Sequence, residues 1–252
     1  MHNRCLHCER EVEEKFCPNC GQKTSTHRYS LKHFLLHDVM HGVLHLDKGF
    51  FYTLKELFTR PGHSIREYVQ GKRAKHFNFF TFIFLVISIG HFIGSFAEVK
   101  QTNIMGYVSE NKDILTEFEK VSKANPKLFI LIQIPFVALF SLLFFRRSKQ
   151  NYTEHLILNT YKASAEILIM IAVALIAALF KGSSTADLLY QTGAVLSLLY
   201  AIWFYYQYFS SFGYSKTGLF FRSLLTALFI ALLIAFINSF VLGVKAGFED
   251  AR

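Results

Sequence analysis

Charged residues and prolines are scarce in this chain of 252 residues, of which 18% are charged and only four are proline. Hydrophobic residues make up 52% of the chain, 28 residues are phenylalanine, and the mean hydropathy is +0.29. A soluble core has a limited volume and a polar surface, so it cannot bury this much apolar side chain. The composition excludes a disordered chain, a collagen-like chain and a small disulfide-stapled protein. It predicts segments that lie in lipid.

Five apolar stretches approach or exceed the roughly 18 to 20 residues that a helix needs to cross a bilayer. They lie at about 77–97, 128–145, 157–180, 188–209 and 223–244. The third stretch has a polar first half, so its span can begin as late as Ala163. The N-terminal residues lack the apolar core and cleavage site of a signal peptide, so we expect no cleaved leader. The predicted fold is an all-α integral membrane protein with five transmembrane helices over residues 77–252.

Lysines and arginines are unevenly distributed between the predicted loops, and positive charge is retained on the cytoplasmic side of a membrane. Three basic clusters fall on one side of the five-span arrangement, within residues 72–75, 146–149 and 216–222. The loop 98–127 on the other side has five lysines that are balanced by five acidic residues. We therefore expect a cytoplasmic N-terminus and a periplasmic or external C-terminus.

All four cysteines lie in the first 20 residues, as the pairs Cys5/Cys8 and Cys17/Cys20. Two CxxC turns this close place four thiolates where one tetrahedral zinc ion can bind, with Gly21 helping backbone N–H groups to turn toward sulfur. Two disulfides are the alternative, but thiols stay reduced on a cytoplasmic side. A redox CxxC motif would need a thioredoxin-like context that the sequence lacks. We predict a zinc ribbon over residues 1–27 that holds one structural zinc ion per chain.

The charge of the predicted ribbon argues against nucleic acid as its ligand. Residues 1–28 carry five basic and four acidic side chains, and a zinc ion with four thiolates adds negative charge. Phosphate binding needs clustered positive charge, so a protein partner or a purely structural role is favoured. A basic cluster lies instead beside the first predicted span, where we expect it to contact anionic lipid headgroups. Its members are Arg66, Lys72, Arg73 and Lys75.

Residues 28–76 are predicted to form amphipathic helices at the membrane surface. Histidines recur every four residues from His33 to His45, which places them within about 120° of one helix face. Apolar residues occupy the opposite face, as in helices that lie on a membrane. His37, His41 and His45 can share a second metal ion with an open coordination position, or they can form a polar face that binds no metal.

Two further short helices are predicted after the histidines. Thr53 with Glu56, and Ser64 with Glu67, have the spacing of N-terminal capping boxes. Pro61 and the following glycine lie between the two boxes as a break.

Short motifs follow one another through residues 5–80. They are CxxC, CPNCGQK, DKGF at 47–50, YTLKEL at 52–57, RPG at 60–62, IREY at 65–68 and GKR at 71–73. This order resembles one bacterial family of uncharacterised zinc-ribbon, multi-span membrane proteins. The resemblance implies the bacterial inner membrane and supplies no activity. That family has a proline after the basic motif, where this chain has FNFF at 77–80. The five-span plan also resembles Yip-like membrane proteins at the level of fold.

Ionisable residues at membrane depth are costly, so His91, Lys162 and Glu166 are the intramembrane candidates. Lys162 and Glu166 are four residues apart and can neutralise each other on one helix face. His91 is expected to form a hydrogen bond between helices, because small residues flank it.

No phosphate-binding loop, nucleophile elbow, HExxH motif or paired-carboxylate motif occurs, so no catalytic residue is assigned. The leading hypothesis is a non-catalytic inner-membrane protein whose cytoplasmic ribbon is a docking or regulatory module for a protein partner or a second copy of the chain. One alternative is a metal-dependent membrane enzyme or metal sensor that uses His37, His41 and His45. A second alternative is a small-molecule or ion carrier.

Overall fold

The computed structural model describes residues 4–26, 28–30, 49–97, 126–180 and 182–249. Within these ranges the chain forms seven α-helices and no β-strand, in agreement with the predicted all-α class. The helices are α1 (Gly49–Thr59), α2 (Pro61–Val69), α3 (Phe79–Ala97), α4 (Pro126–Phe144), α5 (Tyr152–Ala177), α6 (Ser184–Phe209) and α7 (Lys216–Glu249). Short 3-10 helices follow α4 at Arg146–Ser148 and α5 at Ala178–Phe180.

Three helical segments in the described part of the chain are long and apolar enough to cross a membrane. They are Tyr152–Phe180, Ser184–Phe209 and Lys216–Phe236. The first two predicted spans coincide with α3 and α4, but the apolar segments described there, Phe79–Gly94 and Leu131–Phe144, are shorter. The five-span arrangement therefore stays a prediction.

Helix α5 is the centre of the bundle and packs against α3, α4 and α6. Its first turn is stabilised by a capping box, in which Asn151 Oδ1 accepts from Glu154 N–H and Glu154 Oε2 accepts from Asn151 N–H. The helix therefore begins ahead of Ala163, and the polar first half of the predicted third span is part of it. Every residue from Thr153 to Lys162 is buried, so this half is surrounded by protein.

The predicted break at Pro61 is confirmed, because α1 ends at Thr59 and α2 begins at Pro61. The two capping boxes are wrong, since Thr53 and Ser64 lie inside the helices. Pro61 can occupy the first position of α2 without a capping side chain, because proline has no N–H to satisfy there.

The two hydroxyl groups bind the turn between α2 and α3 instead. Thr53 Oγ1 accepts the N–H of Phe77 at 2.8 Å, and Ser64 Oγ is hydrogen-bonded to His76 Nε2 at 2.8 Å. Burial lowers the pKa of His76 to about 4, so this imidazole is neutral at pH 7. Both boxed residues thus contribute to tertiary packing ahead of α3.

All three basic clusters lie at the same end of the bundle. Arg28 joins the first two, because its Nη2 donates to Lys149 O at 3.0 Å while the neighbouring Tyr29 ring lies 3.6 Å below the Arg73 guanidinium. Arg222 joins the second and third, since its Nη1 donates to Phe144 O at 3.1 Å. This clustering agrees with the sidedness that the sequence predicts for these loops.

Helix α2 contacts α6 closely at Gly62. A β-carbon at this position would overlap the backbone of Phe204 and Tyr208. Arg66 secures the same contact, with Nη1 donating to Gln207 O at 2.8 Å and Tyr208 O at 2.9 Å. Gly62 is therefore required by packing between two helix backbones.

We expect Gly62→Ala to destabilise the protein by about 3 kcal/mol, because backbone atoms cannot move aside as a flexible side chain can. The measurement is thermal unfolding of the full chain in detergent, where Tm should fall by about 6 °C or more. Gly94→Ala is the matched control, since no atom lies within 4 Å of its β-carbon position. An equal Tm for the two variants would contradict the close contact.

Candidate metal centre

Two turns of similar backbone geometry occur within residues 4–26, which we call the ribbon after the fold that the sequence predicts for them. In each turn the N–H of the first cysteine donates to a carbonyl five residues later, and its carbonyl accepts an N–H four residues later. These bonds are Cys5 to Arg10 (2.8 Å), Glu9 to Cys5 (2.8 Å), Cys17 to Gln22 (2.9 Å) and Gly21 to Cys17 (2.8 Å). Each turn also ends in one antiparallel bridge, Arg4 with Glu11 or Phe16 with Lys23. The repeat presents the two cysteine pairs to each other.

The residue after each second cysteine has a left-handed backbone. Gly21 has φ 72° in the second turn, as the sequence predicts for a residue that helps N–H groups turn toward sulfur. Glu9 has φ 62° at the equivalent place in the first turn. The next N–H in each turn, that of Arg10 or Gln22, hydrogen-bonds the second cysteine of its pair.

The four sulfur atoms lie close enough to share one ion. All are within 4.8 Å of one another, with Cys5 to Cys20 and Cys8 to Cys17 each at 3.5 Å. Both pairs are far longer than the roughly 2.05 Å of a disulfide, and all four cysteines are free. A tetrahedral ion with metal–sulfur bonds of about 2.3 Å has sulfur atoms about 3.8 Å apart. The four cysteines therefore fit a metal ion of this type.

The thiols differ in acidity because their surroundings differ. The hydrogen bond from Arg10 N–H lowers the pKa of Cys8 to about 6, whereas burial raises the pKa of Cys20 to about 12. Four thiolates at these separations repel one another, so a bound cation is what allows all four to be ionised.

Gln22 fixes the ribbon to the bundle. Its side chain is 6% exposed and lies against the GKR turn between α2 and α3. Nε2 donates to Gly71 O at 2.8 Å, and Oε1 accepts the N–H of Arg73 at 3.0 Å and of Ala74 at 3.2 Å. Because Gln22 directly follows the second CxxC turn, its position depends on the cysteine cluster.

A second contact involves the first CxxC turn. Leu6 packs on Gly71, where a β-carbon would lie 2.8 Å from Leu6 Cδ1. Gly71 also has φ 115°, a backbone conformation that other residues rarely adopt. The glycine of the GKR motif is therefore required by its backbone conformation, and its missing side chain lets Leu6 pack closely.

The segment after the ribbon binds the start of α5. Arg28 forms a bidentate ion pair with Glu154, with Nε to Oε1 at 2.6 Å and Nη2 to Oε2 at 2.8 Å. Asn151 Nδ2 donates to Tyr29 O at 2.9 Å. The residues that cap α5 thus also bind residues 28 and 29.

The structure brings some of the predicted site residues together and not others. The four cysteines come together, whereas His37, His41 and His45 lie outside the described residues. Of the predicted headgroup cluster, Lys72 and Lys75 are exposed, while Arg66 and Arg73 contact α6 and Tyr29.

Of the intramembrane candidates, Lys162 and Glu166 pair at 2.6 Å, with side chains that are 3% and 23% exposed. His91 is exposed on α3 and so lies apart from buried polar groups.

A buried polar row on α5 extends the Lys162–Glu166 pair, and sequence reasoning missed part of it. The row is His155, Asn159, Lys162 and Glu166, which share one face by their spacing. Ser141 of α4 contacts His155 Nδ1 at 2.9 Å and accepts from Asn159 Nδ2 at 2.7 Å, and Tyr205 of α6 donates to Asn159 Oδ1 at 2.5 Å. His155 Nε2 is buried without a hydrogen-bond partner among the described residues. The spacing of these four residues in the sequence, by four, three and four positions, was the signal that could have revealed the row.

Comparison with known proteins gives one match. Residues 47–89 match a family described as "Protein of unknown function (DUF3667)". This match and the clustered cysteines fit an uncharacterised zinc-ribbon family. No curated protein and no solved structure matches the chain significantly. The matched residues include the GKR turn on which the ribbon docks.

We expect Gln22→Ala to release the ribbon without loss of metal, because the side chain binds the GKR turn and no sulfur. The measurement is hydrogen exchange at the amides of Arg73 and Ala74, which should accelerate about tenfold for a lost hydrogen bond of about 1.4 kcal/mol. Gln70→Ala is the matched control, since Gln70 is exposed one residue before the turn. Unchanged exchange in Gln22→Ala would show that the docking does not depend on this amide.

Proposed function

We propose that this chain is a non-catalytic protein of the bacterial inner membrane whose zinc ribbon is a metal-dependent docking module on the cytoplasmic end of a helix bundle. The proposed division is a ribbon over residues 1–27, juxtamembrane helices over 28–76 and a five-span bundle over 77–252. The observation that carries the proposal is the buried Gln22 side chain, which connects the cysteine cluster to Gly71, Arg73 and Ala74.

The ribbon is too small to fold on hydrophobic burial alone. Its buried apolar cluster consists of Cys5, Val12 and Cys17, with the other two cysteines packed against it. Domains of this size gain much of their folding free energy from the bound metal. Metal binding therefore sets the shape of both CxxC turns and, through them, the placement of Gln22 and Leu6.

A docking module needs a surface that recognises it. The GKR turn provides one carbonyl and two N–H groups, which match the donor and acceptors of a single glutamine amide. Arg28 adds an ion pair to Glu154 in the first turn of α5, so docking also brings the α2–α3 connection and the α4–α5 connection together. Loss of the metal is expected to free both connections. This end of the bundle would then have two states, one with the ribbon docked and one with the ribbon released.

We expect one zinc ion per chain in purified protein and none in the double variant Cys17→Ser/Cys20→Ser, because two thiolates alone do not complete the site. The double variant should also show faster exchange at Arg73 and Ala74, as Gln22→Ala does. The measurements are elemental mass spectrometry and hydrogen exchange on the full chain in nanodiscs. Normal protection at the turn in metal-free protein would contradict metal-dependent docking.

The metal content per chain also tests the alternative that the protein is a metal-dependent enzyme or metal sensor. Alanine at His37, His41 and His45 together should leave the zinc content at one per chain if the cysteines form the sole metal site. A second metal that is lost in this triple variant would instead support chemistry at the histidines.

A carrier is the second candidate function, and the buried polar row of α5 favours it. Ionisable groups inside a membrane bundle are characteristic of ion and proton pathways. Lys162 Nζ lies beside Glu166 and 5.8 Å from the centre of the Tyr205 ring, and Tyr205 leads through Asn159 to Ser141 and His155. The row therefore continues over three turns of α5.

If the row conducts protons, reconstituted protein should acidify vesicles under an imposed membrane potential, and Glu166→Gln should reduce this flux about tenfold or more. The pH inside the vesicles is measured with a trapped dye. Lys216→Gln is the control, because Lys216 is an exposed charge outside the row. Flux equal to that of empty vesicles would leave the row a structural feature.

A further inference from the structure

Two arginines from separate connections converge on one tyrosine. Arg147 follows α4 and Arg222 lies in the second turn of α7. Their guanidinium carbons are 5.8 and 5.5 Å from the centre of the Tyr214 ring. Both arginines are exposed, and the carbonyl of Phe144 holds Arg222 in place through its Nη1. The geometry therefore places two cations next to one shared aromatic ring.

This pair has no acidic partner. In the part of the chain that the structure describes, no carboxylate lies within ion-pair distance of Arg147 or Arg222. Other arginines at this end are engaged, since Arg28 pairs with Glu154 and Arg60 pairs with Glu56 and Glu67. Two guanidinium groups that lie within 5.8 Å of the same ring centre repel each other, and an anion bound by both would offset that repulsion. Phosphate suits this arrangement because guanidinium donors match its oxygen atoms in pairs.

The surroundings indicate that the anion carries acyl chains. Arg222 lies near the start of a helix that carries exposed apolar side chains, with Leu225 55%, Phe229 39% and Leu232 70% exposed. This face belongs to a segment long and apolar enough to cross a membrane. Charge at the helix end and an apolar face beside it fit the two parts of a phospholipid.

We propose that Arg147 and Arg222 bind the phosphate of an anionic phospholipid, with Tyr214 beneath the headgroup and the acyl chains along α7. The proposal rests on the membrane location in the proposed function and is independent of the metal centre. It differs from the headgroup cluster predicted from sequence, because Arg66 and Arg73 make contacts within the protein.

The test compares lipid binding by the full chain and two double variants. Detergent-solubilised protein is titrated with phosphatidylglycerol or phosphatidylcholine, and bound lipid is counted by native mass spectrometry. Wild type should prefer phosphatidylglycerol about tenfold, and Arg147→Gln/Arg222→Gln should abolish most of that preference. Arg146→Gln/Lys216→Gln is the matched control, since it removes two exposed positive charges from the same end of the bundle.

The outcomes are separable. Equal loss of the preference for phosphatidylglycerol in both double variants would mean that net charge is responsible. An unchanged preference in Arg147→Gln/Arg222→Gln would mean that these arginines do not form the site. Either result overturns the proposal. Displacement of phosphatidylglycerol by millimolar inorganic phosphate would assign the pair to free phosphate and overturn the lipid assignment. If the double variant fails to fold, Arg147→Lys/Arg222→Lys keeps the charge but loses paired hydrogen bonds, and should reduce the preference severalfold. Zinc content should be the same in all variants, so failure here leaves the docking function untouched.

Discussion

The architecture depends on burying a polar half-helix inside an apolar bundle. Polar groups between Thr153 and Lys162 need partners within the protein, because an unpartnered polar group is costly when it is buried. Hydroxyl groups of α5 donate to carbonyls one turn back, as Thr160 does to Leu156 O at 2.8 Å. Other groups recruit neighbours: Ser141 from α4, Tyr205 from α6 and the carbonyl of Phe77, which Tyr161 binds at 2.5 Å. The helices around α5 are therefore placed by hydrogen bonds as well as by packing.

The connections at the ribbon end of the bundle extend this constraint outward. Glu154 is both the capping residue of α5 and the partner of Arg28, so one carboxylate orders a helix end and the segment that follows the ribbon. Tyr29 lies between the Arg73 guanidinium and the Tyr68 hydroxyl, which it contacts at 3.0 Å. The ribbon, the GKR turn and the start of α5 thus form one connected set of contacts, although each is short and weakly stable alone.

The spacing of residues along the sequence allowed some features of the fold and of the site to be predicted. The other features depend on packing between residues that are far apart in the sequence. The clustering of four cysteines follows from CxxC spacing, and the break at Pro61 follows from the chemistry of proline. The capping boxes predicted at Thr53 and Ser64 were wrong, because the pattern takes account only of N–H groups nearby in sequence. The actual partners of both hydroxyl groups lie in the turn before α3. Ser141 stands alone in apolar sequence, so only the packing of α4 on α5 brings it to His155. Gln22 follows the second cysteine pair and is part of the ribbon motif, but its side chain donates to Gly71, which is 49 residues away.

The pairing of Arg28 with Glu154 has a consequence for biosynthesis. The two residues are separated by 126 positions, so the N-terminal segment leaves the ribosome long before its partner exists. At about 5 to 20 residues per second, that interval lasts about 6 to 25 seconds. During this time the ribbon can acquire its metal but cannot complete its contacts. The contact between Arg28 and Glu154 is therefore a late event of assembly, because it cannot form before the start of the central helix has been made.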